Sequence, residues 1–338
     1  MSVPARSLLR AAPPPAPQAP DEMTAVAMRI LRLVFRSRRL LATDGPCADQ
    51  PCAACYAPHL EKAKAFMLRG EPILFVLPAF PAKSPNTQKV LGPLPDLAEQ
   101  VALNRLQSVC EQISHLYAPG ARIIICSDGR VFSDVVGVRD EDVTAYRREL
   151  EHLIEGIGSS ALDTFALEQV YADATYDEMR NKLCASHAAP LQEVRNRVHE
   201  DDAFRALFNG IHRFMFEDQV VLRPNESRNQ SRLRSKDLAY EVIQRSNAWS
   251  SLVAERFPHA LRLSIHPQPE HSEKIGFHMV QTQDSWLTPW HGVLLDTGEG
   301  LTLVKRHEAE HLKASLIWRK QRPSHYVAPQ VPQPEVQP

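Results

Sequence analysis

Apolar residues recur at helical spacing over residues 22–42, where Val26, Ile30, Leu33 and Leu40 share a face, so an amphipathic helix is expected there. A second, short helix is expected over 57–69. The run P-I-L-F-V-L-P at 72–78 is continuously apolar and too short for a helix, which predicts a strand buried on both faces. Asp96 then offers an N-cap, and Glu99, three residues on, the reciprocal carboxylate of a capping box. Ala102, Leu106, Val109, Ile113 and Leu116 mark the buried stripe of the helix that follows, and Pro119-Gly120 ends it. The run A-R-I-I-I-C-S-D-G, from Ala121, predicts a second buried strand breaking into a turn at Asp128-Gly129. Residues 140–156 predict a helix and 161–167 a third strand.

Strand and helix therefore alternate through the first half, the pattern of an α/β unit with a largely parallel sheet flanked by helices. In such sheets ligands sit at the carboxyl ends of the strands. Two of those ends carry chemistry: Phe80-Pro-Ala-Lys-Ser-Pro-Asn86 and Ser127-Asp-Gly-Arg130. Neither is followed by G-x-G-x-x-G or a Walker A pattern, so no dinucleotide or nucleoside triphosphate site is indicated. The stretch 175–218 is helical and rich in polar residues. Residues 223–236 hold five cationic side chains against one acid, as expected of a solvated loop or of a mobile basic flap over an anionic substrate. A long helix over 237–257 follows. Residues 261–266 alternate like a strand, 274–280 look like its partner, and 288–293 lead to a last strand near 301–304. This C-terminal part is expected to be mostly antiparallel. No internal repeat is present.

Composition narrows the classes. The 338 residues, 43% hydrophobic, can bury one large core, and a formal net charge of −1 gives no global pull toward nucleic acid or acidic membranes. No apolar run reaches the roughly 18 residues that span a bilayer. The first residues lack a secretory h-region, so a cytoplasmic protein is expected, with proline-rich tails at 1–21 and 326–338 around one catalytic unit, 22–325. Its cysteines, Cys47, Cys52, Cys55, Cys110, Cys126 and Cys184, are then expected as reduced thiols. A zinc site at Cys47, Cys52 and Cys55 would need a fourth ligand, for which His59 is the candidate. The sequons at Asn225 and Asn229 carry no weight in such a chain. His307 to His311 spell H-E-A-E-H, the helical zinc-hydrolase signature, but only Glu335 follows as a carboxylate, and Lys305, Arg306 and Lys313 surround the run as on a solvated face. His266, His271 and His278 form a second conceivable metal trio, with His271 expected to face solvent. No metal is expected at either.

Four segments acquire meaning together: LPAFPAKSPN (77–86), ICSDGRVFSD (125–134), RLSIHPQ (262–268) with KIGFH (274–278), and TPWHGV (288–293). In this order, with PDLAEQVAL and AWSSLVAERFP between them, they resemble the pyoverdine/dityrosine biosynthesis family, from about Cys47 to His325. Bacterial members of that family are isocyanide (isonitrile) synthases. The resemblance implies a Rossmann-like core without a nucleotide cofactor. It also implies substrates, an aromatic amino acid (tryptophan or tyrosine) and ribulose 5-phosphate, with one sugar carbon becoming the isocyanide carbon. It further implies a common pathway partner, an iron/2-oxoglutarate oxygenase, and a fungal branch that makes an N-formyl product instead.

That chemistry needs cations for a phosphate, acid/base groups near neutrality and an aromatic slot, and no redox step. Lys83, Arg130, Arg262 and Lys274 are the candidate cations. His266 and His291 are the candidate acid/base groups, because imidazole titrates near neutral pH. Ser84 and Asn86 can orient hydroxyls or a carboxylate, Asp128 and Asp134 can act as bases or hold a His or Lys, and Trp290 can line the slot. Each also has an ordinary role open to it: loop residue, turn, half-exposed strand position or core packing. The rival functions are an N-formyl synthase, a zinc hydrolase using His307 and His311, and an inactive sugar-phosphate-binding module.

Overall fold

The apolar run at 72–78 forms the middle of a parallel sheet, as its lack of alternation requires. The computed structural model describes residues 20–329 apart from Thr43. The tails expected at 1–21 and 326–338 lie almost wholly outside the described residues; where they are described, Pro20 opens the first helix and Tyr326 and Val327 complete the last strand.

The first helices are α1 (Pro20–Phe35) and α2 (Ala53–Leu68). Then come β1 (Ile73–Pro78), α3 (Leu97–Ser114), β2 (Ala121–Cys126), α4 (Gly129–Val136), α5 (Asp140–Ile157) and β3 (Leu162–Phe165). The polar middle is three helices, α6 (Tyr176–His187), α7 (Leu191–Glu200) and α8 (Asp202–Leu222), followed by α9 (Arg228–Arg256). Next are β4 (Leu261–Ser264), β5 (Lys274–Gly276), β6 (Val293–Asp296) and β7 (Leu301–Val304). The chain closes with α10 (Arg306–His311), β8 (Ser315–Arg319) and β9 (Arg322–Val327). The capping box is present at α3, where Asp96 accepts from the Ala98 amide and Glu99 from the Asp96 amide.

Strands β3-β2-β1-β4-β5 make one sheet with every pairing parallel. Its two faces are covered by different helices. Ile73, Phe75, Leu77, Ile123 and Ile125 pack with α1, α2, α3 and α5. Val76 and Cys126 pack with Val131 of α4, Leu183 of α6 and Trp249 of α9. Contrary to the expectation from sequence, β4 and β5 are therefore not an antiparallel pair. They extend the parallel sheet, with Arg262 in register with Val76 on one side and Lys274 on the other. Antiparallel pairing is confined to a second sheet, ordered β7-β6-β9-β8, in which β6 and β9 still run parallel.

Three further expectations change. The first helix stops at Phe35, and Leu40 instead bridges to Gln268. The basic stretch 223–236 is not a flap: Ser227 caps α9 through the Gln230 amide, and the helix begins at Arg228. Local polarity hid that helix because its covered face is small, with Ser231 and Ser235 buried. The Asp128-Gly129 turn is also the start of α4. A Cβ on Gly129 would lie 1.9 Å from the Pro81 carbonyl oxygen, so only glycine lets the loop after β1 cross the loop after β2. Ser127 fixes that crossing by donating to the Phe80 carbonyl at 2.9 Å, and Phe80 itself takes a positive φ of 56°. Among the described residues no helix is long and apolar enough to cross a membrane.

Candidate active site

The carboxyl ends of β1, β2 and β4 open beneath α8 and α9 into a cleft of two compartments. One, of about 380 Å³, lies between β4, β5 and α9. The other, of about 120 Å³, lies between the loops after β1 and β2 and the segment before β6. Asp128, Ile211, Ser246, Ile265, His266 and Trp286 line both, so the compartments are continuous. Helix α8 passes over the pair, turning Phe204 and Leu207 to the first and Phe214, Met215 and Asp218 to the second. Gly210 lets Trp286 lie against α8, since a Cβ there would come within 2.7 Å of the indole.

The larger compartment is cationic. Arg262 and Lys274 occupy one rung of the sheet and converge on Ser250 of α9, whose hydroxyl lies 2.5 Å from Arg262 Nη2 and 3.1 Å from Lys274 Nζ. Arg197 stands at the rim, partly offset by Asp201 at 3.6 Å. Burial, then the like charges of Arg262 and Arg197, lower the Lys274 ammonium to about 8. Cations placed together at a cost in this way form a site for an anion.

Asp128 stands at the junction. It is buried, its Oδ1 has no hydrogen-bond partner, and burial pushes its carboxyl up to about 7. A carboxyl with that poise can take and return a proton near neutral pH. His266 lies beside it, its ring 5.7 Å from that of Trp286. Burial, with Arg39 and Lys274 nearby, lowers His266 to about 4, so the imidazole is neutral at pH 7. Arg39 holds the turn that carries His266 by donating to the Ile265 carbonyl at 2.5 Å.

The smaller compartment is aromatic and mostly apolar, walled by Phe132, Phe214, Met215 and Trp290. Trp290 is buried against Phe80, and its carbonyl accepts from the Ser84 amide at 2.9 Å, which ties the segment before β6 to the loop after β1. His291 stacks on Phe214 with ring centroids 5.1 Å apart, and its Nδ1 is 3.0 Å from the Thr288 hydroxyl. Burial above all, with Lys89 next, holds His291 well below the usual imidazole range.

The structure thus brings together Asp128, Arg262, His266, Lys274, Ser84, Trp290 and His291. It engages the other candidates in internal pairs or places them outside the cleft. Lys83 borders the aromatic compartment, but its ammonium is buried 2.8 Å from Asp96, 2.9 Å from Glu99 and 2.9 Å from the Pro289 carbonyl, so its charge is consumed internally. Burial would lower Lys83, but the two carboxylates raise it above the usual lysine value. Arg130 points away into a buried network with Asp140, Glu168 and Thr144. Asp134 is exposed and paired with Arg245 at 2.7 Å. Asn86 turns to Asp218 and the Glu217 carbonyl and does not line the cleft. His307 and His311 lie exposed on the short α10, where Glu308 caps the helix and Glu310 pairs with Arg306. The His266 trio is dispersed: His278 accepts from Arg39, and His271 turns to the cysteines.

Sequence reasoning missed Arg197, Ser246, Ser250, Phe214, Met215 and Trp286. The periodicity of Phe204, Leu207, Ile211 and Phe214 marks a buried helix face, but nothing in it separates a face on a core from a face on a cleft.

Comparison with known proteins agrees with this architecture. The family model described as pyoverdine/dityrosine biosynthesis protein matches residues 63–317. The L-tryptophan isonitrile synthase AmbI2 of Fischerella ambigua is 52% identical over 301 residues, covering 89% of this chain and 91% of that protein. The L-tyrosine isonitrile synthase of Pseudomonas aeruginosa is 44% identical over 275 residues, covering 80% and 84%. The crystal structure of the PvcA protein from Pseudomonas aeruginosa matches with a TM-score of 0.85 at 40% identity, covering 89% of this chain and 99% of that one. The span of the family model and this extent of identity and structural likeness lead to one conclusion: the chain belongs to the pyoverdine/dityrosine biosynthesis protein family.

Proposed function

We propose that the protein is an isonitrile synthase, converting the amino group of an aromatic L-amino acid to an isocyanide with ribulose 5-phosphate as carbon donor. The observation that carries the proposal is the buried Asp128 carboxyl, its Oδ1 unpartnered, between a cationic and an aromatic compartment. Arg262, Lys274 and Arg197 take the phosphate, and Phe214, Met215 and Trp290 take the aromatic side chain. Asp128 accepts a proton from the substrate ammonium. The freed amine adds to the sugar ketone, and the proton returns to the departing oxygen as water leaves to give an imine. Neutral His266 and His291 donate or accept hydrogen bonds without competing for the phosphate as cations. Loss of phosphate and of the remaining sugar fragment then moves only protons and bonding electrons, so the proposed reaction uses no redox cofactor. The two Fischerella relatives named for tryptophan share 50% and 52% identity with this chain, the two named for tyrosine 44% and 43%, so tryptophan is the first substrate to test. We put the enzyme in the cytoplasm, where its free thiols stay reduced, and an iron/2-oxoglutarate oxygenase would act on its product.

Purified protein incubated with tryptophan or tyrosine and ribulose 5-phosphate should yield an isocyanide, detected by mass spectrometry and by trapping with a tetrazine. A product heavier by one water would assign the N-formyl chemistry instead, and no product from either amino acid would overturn both. Removing one charged hydrogen-bond donor from a bound phosphate costs about 2–3 kcal/mol. Arg262→Ala should therefore raise KM for ribulose 5-phosphate roughly 30- to 150-fold. KM for the amino acid should stay near the wild-type value, and initial-rate kinetics with each substrate varied in turn check the split.

A further inference from the structure

At the outer edge of the parallel sheet, Cys47, Cys52, Cys55 and His271 place their ligand atoms within 4.8 Å of one another. We propose that these residues bind one structural zinc ion, a Cys3His clasp that fastens the β4–β5 segment to the start of α2.

The distances match the ligand spacing of a tetrahedral zinc site. Sulfurs held about 2.3 Å from a tetrahedral zinc lie roughly 3.8 Å apart, and a sulfur and an imidazole nitrogen somewhat closer. Here Cys52 Sγ is 3.9 Å from Cys55 Sγ, and His271 Nε2 is 3.3 Å from Cys52 Sγ and 3.6 Å from Cys47 Sγ. All the cysteines are free, so no disulfide competes for the sulfurs. Cys52 and Cys55 have the C-x-x-C spacing of a zinc knuckle at the first turn of α2. The ligand from outside that run is not His59, which lies buried in α2 with its ring edge against Phe35. It is His271, more than two hundred residues away, whose turn takes a positive φ of 59° and whose Nε2 faces Cys47 and Cys52.

The surroundings suit the ion as well. Three thiolates on a dication carry one net negative charge, and Arg38 provides the offset. Its Nη1 is 3.9 Å from Cys55 Sγ, and its Nη2 donates to the carbonyls of Cys47 and Ala48. Glu270, next to His271, accepts from the Cys47 amide at 2.8 Å, so backbone and ligands are joined at the same point. On binding, each thiol that ligates releases its proton to solvent, and no electron is transferred. The clasped segment carries Gln268, Ser272 and Lys274 into the wall of the cationic compartment. Zinc would thus hold that wall against the N-terminal helices, and this consequence, unlike the metal content, rests on the function proposed above.

The test is metal analysis of the full-length protein, produced without a polyhistidine tag and purified under reducing conditions without chelator. About one zinc per chain is expected by plasma mass spectrometry. Cobalt substitution should give the intense thiolate charge-transfer bands and visible bands of a tetrahedral site. Cys52→Ser and His271→Ala should lose the metal, whereas His59→Ala should keep it. Titrating the wild-type thiols with a mercurial should release zinc even if the variants fail to fold. Removal of the ion should lower the thermal midpoint. Wild-type protein that is zinc-free and takes up none when reduced and supplied with zinc chloride would overturn the proposal. Full zinc content in a folded Cys52→Ser/His271→Ala double variant would overturn it equally.

Discussion

Asp128→Asn should lower kcat by roughly 10²- to 10⁴-fold, the usual contribution of a positioned acid/base group, while both substrates still bind. The replacement is nearly isosteric, and the side chain caps nothing and pairs with nothing through Oδ1, so the fold has little to lose. What disappears is a carboxyl raised to about 7 by burial. The pH dependence follows from the sign of its role. Loss of the Lys274 charge above about 8 should weaken phosphate binding; a base must be deprotonated to act, so below that limit the wild-type kcat/KM should rise with pH through about 7. The residual rate of Asp128→Asn should lack that limb. Stopped assays from pH 5.5 to 8.5 on both proteins, with substrate binding followed by calorimetry, check the three statements. Asparagine activity within a few-fold of wild type would remove Asp128 from the proton path.

Lys83→Met should act on a different quantity. The wild-type ammonium sits between two carboxylates with no solvent-exposed side chain surface of its own, and breaking such a buried pair by deleting one partner costs about 3–5 kcal/mol. Glu99 is already raised to about 7, by burial first and with Asp96 adding to it against the pull of Lys83. A folded-state carboxyl pKa above the unfolded value favours the fold at low pH and loses that advantage as pH rises through the folded value. Without Lys83 the Glu99 carboxyl is pushed further in that direction, so the variant should be least impaired in acid and progressively unstable above neutrality. Urea unfolding at pH 5.5 and 8 measures it. KM for ribulose 5-phosphate in the folded fraction should stay near wild type, which separates this role from direct contact with phosphate.

The first half of the fold was legible because its signals are local. A continuous apolar run means a strand covered on both faces, and Asp96 with Glu99 announces a helix start; β1 and α3 follow from them. The same capping pair concealed a fact about the site, for its carboxylates also neutralise the lysine that looked free in the loop sequence. The pairing of Arg130 was hidden for a like reason: whether a cation meets a ligand or an internal acid depends on Asp140 and Glu168, whose proximity only the folded chain creates. The orientation of β4 and β5 was illegible from alternation alone. Arg262 looks like a half-exposed strand residue because its neighbours are covered and it lines a cleft, and both environments leave one polar position between two apolar ones. His271 is exposed, as expected of a turn, but nothing in H-S-E-K tells that its ring also meets sulfurs from the other end of the chain.

Arg262 and Lys274 share a rung of the sheet, so the distance between their backbones is set by the interstrand spacing of about 4.8 Å, which no loop substitution alters. Phe214 and Met215 instead project from a helix whose side chains can be exchanged one at a time. On the function proposed above, such an enzyme has a rigid grip on its carbon source and an interchangeable mould for the amine. Changes on the cleft-facing side of α8 should then alter the choice of amine while leaving the sugar-holding frame untouched.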